Sequence, residues 1–330
     1  MKLPPFPVEF GRGEGTPIEV IKPKIVVPWM RKLKITLGNG RQQFAIGDSD
    51  TNVDLTIDTT VTKIMSPTAD SALIKISNLT YKQVIQIITG EFYDVKIECG
   101  YRNTGTNLIF KGGVMYIGNE LNSDRTNTIS ILCGSELVAK YGRTRLNLSF
   151  TSGINLFSAL RFVCRLAGIP NTCISESFKT ATVGVINSVS ETPAMWIEKL
   201  MKYNKNYVAN ADSSLGATLS LFEASKSGRK IQIANELLSG GYPKLTSDGV
   251  SLSIFPTINI QPGDTILLDN SIIDISNDNL EEQMGYYLDM SGEYVVYEVK
   301  YTLQNRGSNF SLHLSAKSRS SLSNIGAERR

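Results

Sequence analysis

The chain has 330 residues, 41% of them hydrophobic and 20% charged, and its 34 basic and 31 acidic residues leave a formal charge of +3. That is an ordinary globular composition, with room for two or three domains at ~100–200 residues each. The charges are spread evenly, so no basic stripe offers counterion release, and sequence-specific nucleic-acid binding is not expected. No uninterrupted run of ~18 apolar residues could span a membrane, and Met1-Lys-Leu-Pro-Pro-Phe-Pro7 lacks the apolar core of a signal peptide. A protein made and kept soluble in a cytoplasm is the expectation.

Residues 1–30 are rich in proline and glycine, with Gly11-Arg-Gly-Glu-Gly15 at the centre, and read as an extended arm. Lys32–Leu37 and Gln42–Ile46 flank Gly38-Asn-Gly40, where Asn-Gly supplies the positive dihedrals of a tight hairpin turn. A strand at Asp54–Ile57 precedes another at Ser71–Ser77. A short helix then starts at Asn78 or Thr80, where Thr80 and Gln83 have the spacing of a capping box, and Gly90 stops it in the left-handed position. Strands follow at Asp94–Tyr101 and from Leu108, and a hairpin from Gly113 to Cys133 turns at Asn122–Asn127 and returns with Ile129, Ile131 and Cys133 on one face.

The middle third changes period. Leu156, Phe157, Leu160, Val163, Cys164 and Ala167 recur at three and four, predicting a helix stopped by Gly168 and Pro170. Thr192 as cap and Pro193 at the first helical position open a second helix that presents Trp196, Ile197, Leu200 and Met201 to a core. Strands at Asn206–Ala211 and Thr218–Phe222 complete a small α/β unit. Strand patterns return at Val250–Phe255, Thr265–Leu268, Tyr294–Leu303 and Asn309–Ser315. The hairpin at Gly113–Cys133, with Arg125 in its turn, is echoed from Gly292 to Leu314, with Arg306 in its turn. Two copies of one barrel-like unit explain the echo; a chance likeness of two hairpins is the alternative.

Chemistry-bearing residues are sparse. The single histidine, His313, sits on the polar face of a strand, which leaves no His-based triad and no cluster of histidine ligands. Cys99, Cys133, Cys164 and Cys173 form no C-x-x-C pair and read as buried free thiols. Gly11–Gly15 lacks the following helix of a phosphate loop, because Thr16-Pro17 comes next. Asp48, Asp50 and Asn52 match the first spacings of a calcium loop, but Val53 stands where its turn glycine belongs and Thr59 where its bidentate glutamate belongs. The acidic run Asp274–Glu282 reads as a solvated loop in preference to a carboxylate pair. No catalytic, cofactor-binding or metal residue is therefore assigned.

The order Ser71–Ser77, capped helix, Asp94–Tyr101, Leu108–Val114 resembles the hub proteins of contractile-tail phage baseplates. Pro256 together with Ile258-Asn-Ile-Gln-Pro-Gly-Asp-Thr-Ile266 is similar to a second stretch of that family, and the likeness spans about residues 31 to 320. It implies a mainly β fold with two similar tube-like β-barrel domains, 31–135 and 240–320, flanking a mixed α/β domain at 136–239, with an arm at 1–30 and a tail at 321–330. The implied function is structural and not enzymatic: a homotrimer that adapts the hexameric tail tube, or a tube initiator, to the trimeric central spike. It would contact other baseplate proteins and let the genome pass through its pore. The implied location is the virion's tail baseplate, assembled in the host cytoplasm. A β-rich tail-associated receptor-binding or cell-wall-degrading protein is the alternative.

Overall fold

A computed structural model describes residues 20–21, 30–47, 55–66, 70–121, 127–135, 144–169, 171–202, 207–212, 218–223, 229–246, 249–274 and 292–318. The first β region holds β1 (Val20–Ile21), β2 (Arg31–Gly38), β3 (Gln43–Ile46), β4 (Thr56–Ile64), β5 (Ser71–Ser77), helix α1 (Tyr81–Thr89), β6 (Asp94–Tyr101), β7 (Gly105–Leu121) and β8 (Asn127–Ser135). The middle part comprises β9 (Leu146–Phe150), β10 (Ile154–Asn155), α2 (Leu156–Leu166), β11 (Asn171–Ile174), β12 (Thr182–Val183), β13 (Ile186–Glu191), α3 (Pro193–Met201), β14 (Tyr207–Asp212) and β15 (Thr218–Glu223). The last region is β16 (Lys230–Gln232), β17 (Lys244–Thr246), β18 (Gly249–Ile254), β19 (Thr265–Leu267), β20 (Glu293–Gln304) and β21 (Phe310–Ser318). The fold is mainly β, with two similar β units flanking a mixed α/β part, as the resemblance implies.

Local signals explain most of these elements. In α1 the Thr80 hydroxyl accepts from Gln83 N while Gln83 Oε1 accepts from Thr80 N, so the capping box forms and Thr80 is the cap. Gly90 is not left-handed: its φ is −73°, and Glu91 takes the positive φ of 50°. Glycine is needed there for room, because a Cβ would lie 2.5 Å from both the Gln86 carbonyl and the Phe92 ring. The β2–β3 connection is also wider than a two-residue turn, since Gly38 pairs with Gln43. Gly40 alone takes a positive φ, and the Asn39 side chain closes the loop by accepting from Arg41 N and Gln42 N.

Among the described residues, fourteen strands from both β regions form one sheet, with a main path β1-β16-β19-β20-β4-β5-β8-β7-β6-β2-β3 and a branch β20-β21-β18-β17. The first unit runs β4-β5-β8-β7-β6 and the second β17-β18-β21-β20-β19, with every neighbouring pair antiparallel in both. Two details confirm the correspondence. Each long strand carries a register shift at the same point, past Met115 in β7 and past Tyr297 in β20. Val114 N donates to Tyr93 O, just before β6, as Val296 N donates to Asp264 O, just before β19, both at 2.9 Å. The units differ in their leading strands, since β2 is antiparallel to β6 whereas β16 is parallel to β19. This register also corrects the echo read from sequence: Gly113 corresponds to Val295, not to Gly292. Arg306 is in the second turn, while Arg125 lies outside the described residues.

The units are joined along β20. One edge of this strand holds β21; the other holds β19 at Glu293–Val295 and then β4 from Glu298 to Gln304. Ile57, Val61, Ile74 and Ile131 of the first unit and Val299, Leu312 and Leu314 of the second are fully buried in one cluster. The first sheet curls until β2 reaches the β20–β21 turn, where Arg31 Nη1 donates to Gly307 O at 2.6 Å and Tyr101 packs edge-on against Phe310, centroids 5.5 Å apart. The middle part has a separate core around Leu156, Leu160, Phe178 and Trp196.

The proline-containing Pro-Gly-Asp stretch supplies the polar stitching at this junction. Asp264 accepts from Arg229 Nη2 at 2.7 Å and from Gln261 N at 2.9 Å. Burial raises its carboxyl above the usual range, and the Arg229 guanidinium pulls it partly back. Gln261 Oε1 accepts from Lys63 of β4, a fully buried lysine, and Gln261 Nε2 donates to Asn259 Oδ1, which also accepts from the Tyr301 hydroxyl. Asn259 Nδ2 donates to Leu108 O and Asn107 Nδ2 to Thr257 O, so the stretch also grips β7.

Because the β units share a core, Ile74→Ala and Leu312→Ala should each cost about 2–5 kcal/mol and lower one common thermal transition. Two separate β transitions in calorimetry would contradict this. Asp264→Ala should cost about 2–4 kcal/mol in denaturant titration, since it strands Arg229 and the Gln261 amide; a loss below about 0.5 kcal/mol would contradict the stitching role. Burial pushes the Cys99, Cys133 and Cys164 thiols up to about 12. At about pH 8 they stay protonated, so peptide mapping should find them unlabelled by a thiol reagent until the protein unfolds.

Candidate assembly surfaces

The long strand β7 outruns its partners. β8 covers one edge from Gly112 to Leu121, but β6 covers the other only up to Gly113. The backbone groups of Tyr116–Leu121 on that side have no partner strand among the described residues. Such an edge is a ready template for another strand. In the second unit the equivalent edge of β20 is filled by β4.

Next to this edge lies an apolar row. Leu73, Leu132 and Tyr116 stand directly opposite one another on β5, β8 and β7, and all are exposed, as is Met115 at the bulge. Apart from the exposed Ile64 at the end of β4, the neighbouring positions of that sheet face are polar, with Thr60, Thr62, Ser71, Lys75 and Ser130 on the first unit and Lys300, Thr302, Ser311 and His313 on the second. A second apolar stripe follows α1, where Val84 and Ile87 are buried but Tyr81, Ile85 and Ile88 face out. Tyr93, Tyr116, Tyr242 and Phe162 are also exposed, although periodicity alone assigns most aromatics to cores.

The residues weighed for chemistry are scattered. His313 is exposed and hydrogen-bonded to Ser253 Oγ at 2.9 Å and Ser251 Oγ at 3.2 Å, both on β18 of the same open sheet face. Cys99 and Cys133 lie on β6 and β8, Cys164 on α2 and Cys173 on β11, and Cys99, Cys133 and Cys164 are buried free thiols. Among the described residues no three His, Cys, Asp or Glu side chains group as metal ligands. Asp274 is described and bonds the edge of β17, with Leu245 N donating to Asp274 O and Asp274 N to Pro243 O. Gly11–Gly15, Asp48–Asp54 and Ile275–Glu282 lie outside the described residues. Among the described residues, no helix is long and apolar enough to cross a membrane.

Two open concavities lie among the described residues. One of about 360 Å³ is lined by Val185, Ile186, Asn187, Lys199 and Lys202 in the middle part. There Lys199 bonds Glu191 at 2.6 Å and Ser188 at 2.8 Å, and the Lys199 ammonium with the Ser188 hydroxyl holds the Glu191 carboxyl below its usual range. The other, of about 240 Å³, lies across the unit junction between Asp58, Lys75, Gln304 and Arg306. The described surface thus presents extended edges, apolar rows and polar sheet faces.

Solved structures to which the chain is similar include tail and secretion proteins. The 43 kDa tail protein of prophage MuSo2 from Shewanella oneidensis matches with a TM-score of 0.56 at 10% identity, over 88% of this chain and 98% of its own. A tail protein from Neisseria meningitidis matches at 0.55 and 9% identity, over 89% and 98%. The E. coli c3393 protein, a type VI secretion system component described as structurally similar to the phage T4 tail proteins gp27 and gp5, matches at 0.52 and 9% identity, over 80% and 73%. No protein-family model matches the sequence, and the comparison with curated proteins finds no match. At these identities the likeness is one of fold: the chain has the fold of phage tail proteins and of a type VI secretion component.

Proposed function

We propose that the chain is the structural hub of a phage tail baseplate, a homotrimer whose two tube-like β-barrel domains per copy build a ring of six similar units. The observation that carries this reading is the repeated strand order, β4-β5-β8-β7-β6 and β17-β18-β21-β20-β19, fused into one sheet. Two alike units in one chain let three copies present six near-equivalent faces to a hexameric tube, while the true symmetry remains threefold for a trimeric spike. The tail proteins of the same fold support the setting, and the type VI component supports kinship with a spike-bearing injection device. In this reading the domains are taken as 31–135 and 240–320 with 136–239 between them, and β1 and β16, outside the first and third of these ranges, also join the shared sheet. The middle part would face the spike or neighbouring baseplate proteins.

The protein works through surfaces and is not an enzyme in this reading. Ser251, Ser253 and His313 lie on an open face, where a nucleophile would lack the water-excluding cleft that acyl transfer uses. The location follows as the virion tail, with assembly in the host cytoplasm and the genome passing through the pore.

Sedimentation equilibrium or native mass spectrometry should give three times the 36.3 kDa chain mass, and one spike trimer should bind each such particle. A chain that stays monomeric alone and with tube and spike proteins would contradict the proposal. Cell-wall degradation by the purified protein would favour the enzymatic alternative.

A further inference from the structure

The internal repeat specifies how one copy should meet the next. At the junction within the chain, β20 and β4 run antiparallel with Thr302 opposite Thr60, Tyr301 opposite Val61 and Lys300 opposite Thr62. The pairings shared by the two units map Thr302 onto Glu120, Tyr301 onto Asn119 and Lys300 onto Gly118. They map Thr60, Val61 and Thr62 onto Lys244, Leu245 and Thr246 through the β4–β5 and β17–β18 pairs. The junction that β20 makes with β4 therefore has a counterpart, the open edge of β7 against β17, which one chain cannot make with itself while both edges belong to a single ring.

We infer that β17 of a second copy of this chain pairs antiparallel with the open edge of β7, placing Lys244 of that copy directly opposite Glu120. This rests on the trimer proposed above and assigns its seam. The register comes only from the repeat, yet it brings opposite charges face to face at an exposed pair, and opposite charges on directly paired strands are stabilising. A strand of the second copy also supplies the backbone groups that Tyr116–Leu121 need. The contact is head to tail, so it propagates from copy to copy and ends only when the ring closes.

Among the described residues of the single chain, the outer edge of β17 is held by one bridge. Leu245 N donates to Asp274 O at 3.2 Å and Asp274 N donates to Pro243 O at 2.7 Å, with Asp274 beside Lys244. Assembly exchanges this two-bond bridge for a longer ladder, and an acidic residue is again placed beside Lys244. The bridge protects a free edge from indiscriminate pairing before the correct partner arrives.

The test is disulfide trapping in the full chain. Glu120→Cys with Lys244→Cys should cross-link copies on oxidation into covalent dimers and closed trimers, whereas Asn119→Cys with Lys244→Cys, whose side chains would lie on opposite faces, should not. Glu120→Lys and Lys244→Glu should each weaken self-association by about fivefold per seam, and the double reversal should restore it. A trimer by mass that neither cross-links nor responds to charge reversal overturns the seam and leaves the trimer reading standing. A persistent monomer overturns both.

Discussion

β20 has twelve residues and three neighbours, and the molecule is organised by how that strand is shared. β21 takes one edge along almost its whole length, while β19 and β4 divide the other at the bulge by Tyr297. A strand that serves two units cannot leave one without breaking a backbone ladder backed on one face by the core, and each buried bond left unmade costs about 1–3 kcal/mol. The two units are thus held in a fixed mutual orientation, which is what a ring built from fused pairs requires. The buried network of Lys63, Gln261, Asn259 and Tyr301 adds direction to a contact that apolar packing alone would leave less specific.

The same logic explains the unequal edges. Inside the chain the junction edge of β20 is long and paired, whereas among the described residues its counterpart on β7 is open and its counterpart on β17 is short and bridged by Asp274. In the proposed trimer, one junction is made by covalent proximity and its equivalent is left for association. The polar character of the sheet face beside these edges, with threonine, serine and lysine in the rows around Leu73, Leu132 and Tyr116, suits a surface that is wet on one side and packed on the other.

Much of the fold was legible because alternation and capping act locally. The Thr80–Gln83 box, the Thr192-Pro193 start and the Ile129–Cys133 face all form as their residue types dictate. Other features depend on distant partners and left no local mark. β4 runs on to Ile64 because its alternate residues Ile57, Thr59, Val61 and Lys63 are buried against the second unit, and a lysine there reads as surface until Gln261 is placed beside it. Gly90 looks like a left-handed stop, yet its role is to admit Phe92. The repeat was visible as two hairpins, but only the bulges and ladders fix its register, since glycine positions are free to drift between copies. The open β7 edge has no sequence signature at all, because an unpaired edge is a property of what the other strands fail to cover.

The central claim is that two fused, equivalent units from each of three copies close into one ring. Electron-microscope images of the assembled particle viewed down its axis test it most directly. The account predicts six similar lobes around a central hole, alternating in a threefold pattern set by the middle α/β parts. A ring with any other number of lobes, or a particle without a central hole, would contradict it.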